Sequence, residues 1–297
     1  MTNNAFITIV GRPNVGKSSL LNSLIGEKIA AVSSKPQTTR TKITGILTQG
    51  ESQYIFIDTP GMHKSKNKLS QHMINAINDS TSSIDAALLV VDAEKKPGEA
   101  ERQLLKSLKC PVILVINKID LFQNKEELIP VISEYASLHD FADVIPISAK
   151  EKNGLEIIME CVSKYTVPGP HYFPDDKFTD QPEKVIISEI IREKLLETLS
   201  EEVPHGIAVG IEQLSERDNA NGEAIMDISA VIYCERDSHK GIVIGKGGAM
   251  LKKIGQLARE DIEEFFMIKT NLQLWVKVKE GWRNVEGIIR NFGLSSN

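Results

Sequence analysis

Apolar and polar positions divide the chain into two halves with different rhythms. In the first half, short apolar runs recur: Phe6–Val10, Ile43–Leu47, Tyr54–Ile57, Asp85–Asp92, Pro111–Ile116 and Val144–Ile147. Runs of this length, bounded by polar turns, predict strands buried in a sheet, and the stretches between several of them predict helices, beginning with Ser19–Leu24. Strand and helix alternate to about residue 165, which predicts a mostly parallel sheet with helices on both faces. Residues 166–183 carry four prolines and no period, so 167–183 reads as a linker between a first domain, 1–166, and a second, 184–297.

The second half begins with a helical pattern over Val185–Leu199, with Ile187, Ile191 and Leu195 on one face. Two strands, Gly206–Leu214 and Ala224–Cys234, flank a polar loop. A short apolar segment, Lys240–Ile244, then leads through Gly245-Lys246-Gly247-Gly248 into a helix. Leu251, Ile254, Ala258, Ile262 and Phe265 mark its buried face. Leu272, Leu274, Val276 and Val278 alternate as a third strand, and a short helix is expected from about Trp282 to Asn291. This is an α+β domain following an α/β one.

The 297 residues give each half room for its own core. No run approaches the roughly 20 apolar residues of a membrane span, and MTNNAF lacks the features of a secretory leader. A monomer in the cytoplasm is expected. Cys110, Cys161 and Cys234 lie far apart in apolar surroundings, as buried reduced thiols would. The net charge of −5 argues against a nucleic-acid partner until its distribution is counted. Residues 236–290 hold eleven Lys and Arg against seven Asp and Glu, a local +4 beside −9 elsewhere. A basic patch on an acidic chain is compatible with binding RNA.

The strand Phe6–Val10 runs into Gly11-Arg12-Pro13-Asn14-Val15-Gly16-Lys17-Ser18, followed by Ser19 and a helix. This is G-x-x-x-x-G-K-[ST] in its required setting of strand, glycine loop and helix N-terminus. The glycines let backbone N–H groups turn toward a phosphate, and the helix end adds partial positive charge there. Lys17 would hold the β- and γ-phosphates of a nucleoside triphosphate, and the Ser18 hydroxyl would take one Mg²⁺ position. Further along, the aperiodic Ala30–Thr41 reads as an exposed loop whose threonines can supply a second oxygen to the metal.

The strand Tyr54–Ile57 ends in Asp58-Thr59-Pro60-Gly61. A carboxylate there can hold Mg²⁺ through water, and the Gly61 N–H can approach a γ-phosphate without an intervening side chain. The strand Pro111–Ile116 ends in Asn117-Lys118-Ile119-Asp120. The Asp120 carboxylate can accept from both N1–H and the 2-amino group of guanine. Adenine offers neither donor, so Asp120 would reject it. Val144–Ile147 runs into Ser148-Ala149-Lys150, where the Ala149 N–H can read guanine O6. Each motif alone is an ordinary strand-end turn. Four of them in order, at successive carboxyl ends of strands, describe a guanine-nucleotide site.

A bare G-x-x-G is a weak signal and is most often a helix-entry turn. Here apolar residues precede it, Lys246, Lys252 and Lys253 surround it, and a helix follows. That setting fits the KH clamp on the backbone of single-stranded RNA; lysines on a solvated helix face are the plainer alternative.

The four nucleotide motifs, with G-R-P-N-V-G-K-S, Q-T-T-R and D-T-P-G together, resemble the Era group of translation-factor-like GTPases. The resemblance extends through I-R-E-K-L-L at 191–196, E-V-P-H at 202–205 and a single KH domain of type II. It implies GTP and GDP binding, slow GTP hydrolysis with Mg²⁺, and a metal set of Ser18, Thr39 and Asp58. Thr39 is preferred to Thr38 because the family's metal-binding threonine directly precedes the arginine. It further implies binding near the 3′ end of small-subunit (16S) ribosomal RNA, a role in rRNA processing and small-subunit assembly, and peripheral contact with the inner membrane face. The chain departs from Ras-like enzymes at Met62, where those carry a water-orienting glutamine. In the group it resembles, an asparagine matching Asn14 helps hold K⁺ in place of an arginine finger. Lys17, Asn14 and Gly61 are the catalytic candidates on that basis. A competing reading is a switch whose nucleotide state gates a protein or membrane partner, with the second half purely structural.

Overall fold

A computed structural model describes residues 1–33, 35, 38–40, 42–60, 84–199, 203–285, 287 and 289. The chain forms two compact units that divide between Asp180 and Gln181.

The first unit is built on strands β1 (Asn3–Val10), β2 (Ile43–Gln49), β3 (Ser52–Asp58), β4 (Ala86–Asp92), β5 (Val112–Asn117) and β6 (Asp143–Pro146). They lie in the order β2-β3-β1-β4-β5-β6, with β2 antiparallel to β3 and the other pairs parallel. Every residue of β4 and β5 is buried, which explains why both read as continuous apolar runs: a parallel sheet is covered on both faces. Helices α1 (Lys17–Ile25), α2 (Glu99–Ser107), α3 (Leu128–Ala136) and α4 (Leu155–Ser163) supply that cover. Leu104 and Leu105 of α2 and Leu128 and Tyr135 of α3 pack on Ala87, Leu89, Val91 and Leu114. β1, α1, β3 and β5 together bring the nucleotide motifs to the carboxyl edge of the sheet.

The proline-rich segment expected as a linker is bound to the first unit for most of its length. β4 pairs only with Ile7–Val10, leaving the start of β1 open. A two-residue strand, β7 (Val167–Pro168), pairs antiparallel with Asn3 and Asn4 there. The Gln53 amide then fastens the chain, accepting from Tyr172 N (2.8 Å) and Phe173 N (3.0 Å) and donating to Phe173 O (2.9 Å). At the outer edge, Ile46 N donates to Phe178 O (2.8 Å) and the Thr179 hydroxyl to Thr44 O (2.6 Å).

The second unit comprises α5 (Glu183–Thr198), β8 (Ile207–Asp218), β9 (Ala224–Cys234), α6 (Asp237–Ile244), α7 (Ala249–Phe266) and β10 (Lys269–Val278). Its sheet runs β10-β9-β8, with β10 parallel and β8 antiparallel to β9. Ile187, Ile191 and Leu195 of α5 and Ile254, Ala258 and Ile262 of α7 meet Met226, Ile228, Ala230 and Ile232 of β9 in one core. Strand, strand, helix, helix, strand after a leading helix is the type II KH order expected from the sequence.

Two local expectations change. Lys240–Ile244 belongs to helix α6, because Asp237 opens a turn whose apolar residues meet α7 and β10. The closing helix does not begin at Trp282. Trp282–Asn284 is one 3₁₀ turn, held by the buried Trp282 indole donating to Gly206 O (3.1 Å), and Val285 is extended. Gly287 and Ile289 beyond it are helical. Residues 290–297, which include the end of the expected closing helix, lie outside the described residues. Among the described residues no helix is long and apolar enough to cross a membrane.

Candidate nucleotide site and RNA-binding groove

Gly11 and Gly16 both have positive φ, at 148° and 97°. A Cβ at Gly11 would overlap Val90 O, and one at Gly16 would overlap the Asn117 amide. The loop therefore needs glycine at these two points to lie flat against β4 and β5. Lys17 folds back into the loop it follows. Its ammonium is buried and donates to Gly11 O (3.3 Å) and Arg12 O (3.0 Å). Burial lowers its pKa, and the Asp58 carboxylate opposes that shift.

Three oxygens meet beside it. Ser18 Oγ lies 2.8 Å from Thr39 Oγ1 and donates to Asp58 Oδ2 at 2.7 Å; Thr39 Oγ1 reaches the same Oδ2 at 3.4 Å. Burial raises the Asp58 pKa, while Lys17, Ser18, Thr39 and the Thr59 N–H pull it down. Asp58 Oδ1 is buried with no hydrogen-bond partner among the described residues. Hard, convergent oxygen donors with a carboxylate oxygen left over are the donor set that suits Mg²⁺. Thr38 is directed elsewhere, its hydroxyl donating to Lys35 O (2.6 Å). Pro13, Asn14, Gly16, Ser19, Val32 and Ser33 line a cleft over this cluster. Thr59 donates its hydroxyl to Ile9 O (3.0 Å), tying the end of β3 to β1, and Pro60 follows it. Gly61 and Met62 lie outside the described residues.

At the base end, Asn117 is a buried cross-brace. Its amide donates to Val15 O (2.8 Å) and accepts from Ala149 N (3.0 Å), joining the Gly11–Ser18 loop to the Ser148–Lys150 turn. Asp120 accepts from the Ser148 hydroxyl (2.6 Å), which also takes the Glu151 N–H (3.1 Å). The Asp120 carboxylate is thus aimed by Ser148. Lys150 is exposed.

Four residues that the motifs do not mark hold this site. Asp92, at the end of β4, takes the Lys118 ammonium at 2.7 Å, and Lys118 is itself left-handed at φ 71°. Glu101, buried in the first turn of α2, takes the Arg12 guanidinium. Gly98, whose Cβ would overlap that guanidinium, makes room for the pair. Ser23 of α1 donates to Ala149 O (2.9 Å). Asp92 had a visible signal, an acid closing an apolar run; Glu101, Gly98 and Ser23 had none.

In the second unit the G-x-x-G turn caps one helix and starts the next. Gly245 N donates to Gly241 O (2.9 Å), closing α6, and Gly248 N donates to Gly245 O (3.2 Å). Gly245, Gly247 and Gly248 all have positive φ (71°, 60° and 83°). A Cβ at Gly245 would come within 2.7 Å of Met250 Cβ, whereas at Gly247 and Gly248 nothing lies within 4 Å. The outer faces of Gly247 and Gly248 are thus open to a ligand's backbone. Lys246 at the turn itself and Lys252 and Lys253 on the helix that follows are all exposed. A groove between α7 and the edge strand β10 continues from the turn, lined by Leu251, Lys252, Gly255, Gln256, Arg259, Leu272 and Leu274. Leu251, expected on the buried face, is half-buried: it packs against the core and also lines the groove wall. Helical periodicity cannot separate a groove wall from a core flank, so Gln256 and Arg259 had no signal, and the strand alternation of Leu272 and Leu274 marked only a buried face.

Comparison with known proteins agrees with this geometry. Residues 6–118 match the family model described as 50S ribosome-binding GTPase, and residues 202–283 match the KH domain. The chain is 51% identical over 296 residues to GTPase Era of Clostridioides difficile (strain 630), covering 99% of each. It is 47% identical over 295 residues to GTPase Era of Ruminiclostridium cellulolyticum, covering 98% of this chain and 97% of that one. Among solved structures it superposes with a TM-score of 0.94 at 35% identity on a single-residue variant of Aquifex aeolicus Era bound to GDP·AlF₄⁻, covering 99% of this chain and all of that one. The same TM-score and identity, with full coverage of both chains, relate it to Era in complex with MgGDPNP and nucleotides 1506–1542 of 16S ribosomal RNA. The GTPase match over residues 6–118, the KH match over residues 202–283 and this identity across the whole chain make it a member of the Era family of GTPases.

Proposed function

We propose that this protein binds and hydrolyses GTP and, through its KH unit, binds the 3′ end of small-subunit ribosomal RNA during rRNA processing and assembly of the small subunit in the cytoplasm. The observation that carries the reading is the full-length likeness, at TM-score 0.94, to an Era holding both MgGDPNP and that segment of 16S RNA. On this reading Gly11–Ser19 wraps the phosphates with backbone N–H groups, and Lys17 turns its ammonium from its own loop's carbonyls to the β- and γ-phosphate oxygens. Ser18 and Thr39 ligate Mg²⁺, and Asp58 holds it through water. The metal supplies charge neutralisation at the β- and γ-phosphates. Asn117, Lys118, Ser148, Ala149 and Lys150 form the base pocket, and Asp120 accepts from the guanine edge.

Crosslinking and sequencing of RNA bound in cells tests the RNA half. A footprint at the 3′ end of small-subunit rRNA is expected, and one spread over messenger RNA would overturn the reading.

Asn14 is left-handed at φ 64° and lines the cleft beside Ser18. We assign its amide oxygen to a monovalent cation at the phosphates. GTP turnover is then expected to be several-fold faster in KCl than in NaCl and slow in both. Equal rates in the two salts would remove Asn14 from catalysis.

Lys246 sits within the G-x-x-G turn, where it would meet phosphate. Lys246→Ala is expected to weaken all single-stranded RNAs alike and to lower the slope of log affinity against log salt by about 0.7, the value for one phosphate contact on a single strand. Loss confined to one sequence would place Lys246 on a base instead.

A further inference from the structure

We propose that the RNA path does not end in the α7–β10 groove but turns over the edge of β10 onto the open face of the sheet, where Trp275 stacks a base. This rests on the RNA reading above and extends it to a second surface.

Among the described residues β10 pairs only with β9, at the edge of its sheet, and its side chains alternate between two environments. Leu272 and Leu274 line the groove beside α7, and Val276 packs on the same core. Lys269, Asn271, Gln273, Trp275 and Lys277 point the other way and are all exposed. Trp275 is 58% exposed, against 0% for Trp282. A strand brings consecutive residues to opposite faces, so Leu274 and Trp275 are one step apart around the edge. A strand of RNA leaving the groove needs only to cross that edge.

The face it would reach is built for a flat ligand. Trp275 pairs with Val231 of β9, and Val231 with Gly210 of β8, so the indole lies on a low, smooth row. Two residues along, Lys277 pairs with Tyr233, placing the second aromatic ring of this face diagonally beside the indole. Lys279 Nζ lies 5.8 Å from the centre of the Tyr233 ring. From Phe265 to Lys279 the chain has three lysines and no acidic residue. Two acids of the neighbouring strands on this side are engaged: Glu212 by Lys277 (3.0 Å) and the Tyr233 hydroxyl (3.3 Å), Asp227 by Arg217 and Asn271. An exposed indole beside a half-buried phenol ring, among lysines on a sheet face, is the composition of a base-stacking platform, which tolerates any base because every base has a π-face. A protein partner pairing with the β10 edge would need the backbone of that edge and not the indole.

The test uses the full chain with two probes, RNA of nucleotides 1506–1542 of 16S ribosomal RNA and an RNA of about four nucleotides, the length a KH clamp covers. Trp275→Ala is expected to weaken the long RNA about tenfold, within the range for one stacked base, and to leave the short RNA unchanged, which also reports that the unit is folded. Trp275→Phe should retain most of the affinity. Long RNA should quench tryptophan emission in the native chain but not in Trp275→Phe, whose remaining emission comes from the buried Trp282. Unchanged long-RNA affinity in Trp275→Ala, or quenching that survives in Trp275→Phe, would overturn the second surface while sparing the groove. If the native chain binds neither RNA, the RNA reading itself falls, and this extension with it.

Discussion

Asp120→Asn is expected to exchange the preferred nucleotide from GTP to XTP. In xanthine the 2-amino group of guanine is replaced by a carbonyl oxygen, so a carboxylate facing it loses a donor and meets an acceptor. An asparagine amide restores the match by donating. Sites built on a hydrogen bond to one group reject the analogue lacking it by about 10⁴-fold or more, so GTP affinity should fall by several orders of magnitude and XTP affinity rise correspondingly. The substitution is nearly isosteric, and the amide can keep the contact to the Ser148 hydroxyl that orients Asp120. The cross-brace through Asn117 is untouched. Titration with fluorescent GTP, XTP and ATP analogues measures the change. ATP binding comparable to GTP in the native chain would show that Asn117–Asp120 does not read the base.

Gly247→Asp should abolish RNA binding and leave GTP hydrolysis at its basal rate. The choice among the three glycines follows from their surroundings. At Gly245 a new side chain would strike Met250 inside the unit, so loss of binding there would mix misfolding with the effect sought. Gly247 has open space and a φ of 60°, a conformation aspartate tolerates better than most residues. The new carboxylate would stand in the path of the phosphates at the helix N-terminus, replacing a favourable dipole with repulsion. RNA affinity by filter binding should drop beyond detection while GTP turnover stays within about a factor of two, because the nucleotide site lies in the other unit. Parallel loss of both activities would mean that Gly247 supports the fold. Gly247→Ala, which adds no charge, should bind RNA with intermediate affinity.

The nucleotide site was the most legible part of the chain because its chemistry is carried by backbone turns, and those turns demand fixed residues at fixed spacing. Gly11, Asp58 and Asn117 each stand at the end of a strand that reads as buried from its own residues. The residues that steady them were not legible. Glu101 reaches Arg12 across 89 positions of sequence, and nothing local to either marks the pair. Helix α5 shows another limit. Glu189 and Arg192 pair along its surface, and Lys194 meets Asp261 of α7 at 2.7 Å, so charged residues are buried among the apolar ones and the expected one-sided pattern is blurred. Residues 167–180 were illegible for a different reason. Proline removes donors and period together, while the bonds that fix the segment come mostly from Gln53, Thr44 and Ile46 on the partner strands.

That segment bears on how the protein can be cut. β2 is the outermost strand of its sheet on one side, and an uncovered outer strand invites another chain to pair with it. Phe178 and Thr179 occupy its backbone groups at Thr44 and Ile46. A protease nick or an early stop after residue 166 would strip the guard from this strand and bare Gln53, turning the remaining fragment into a template for aggregation. An end placed after Asp180 would carry the guard with it. The prolines before it that resist pairing in turn keep the guard from recruiting further strands.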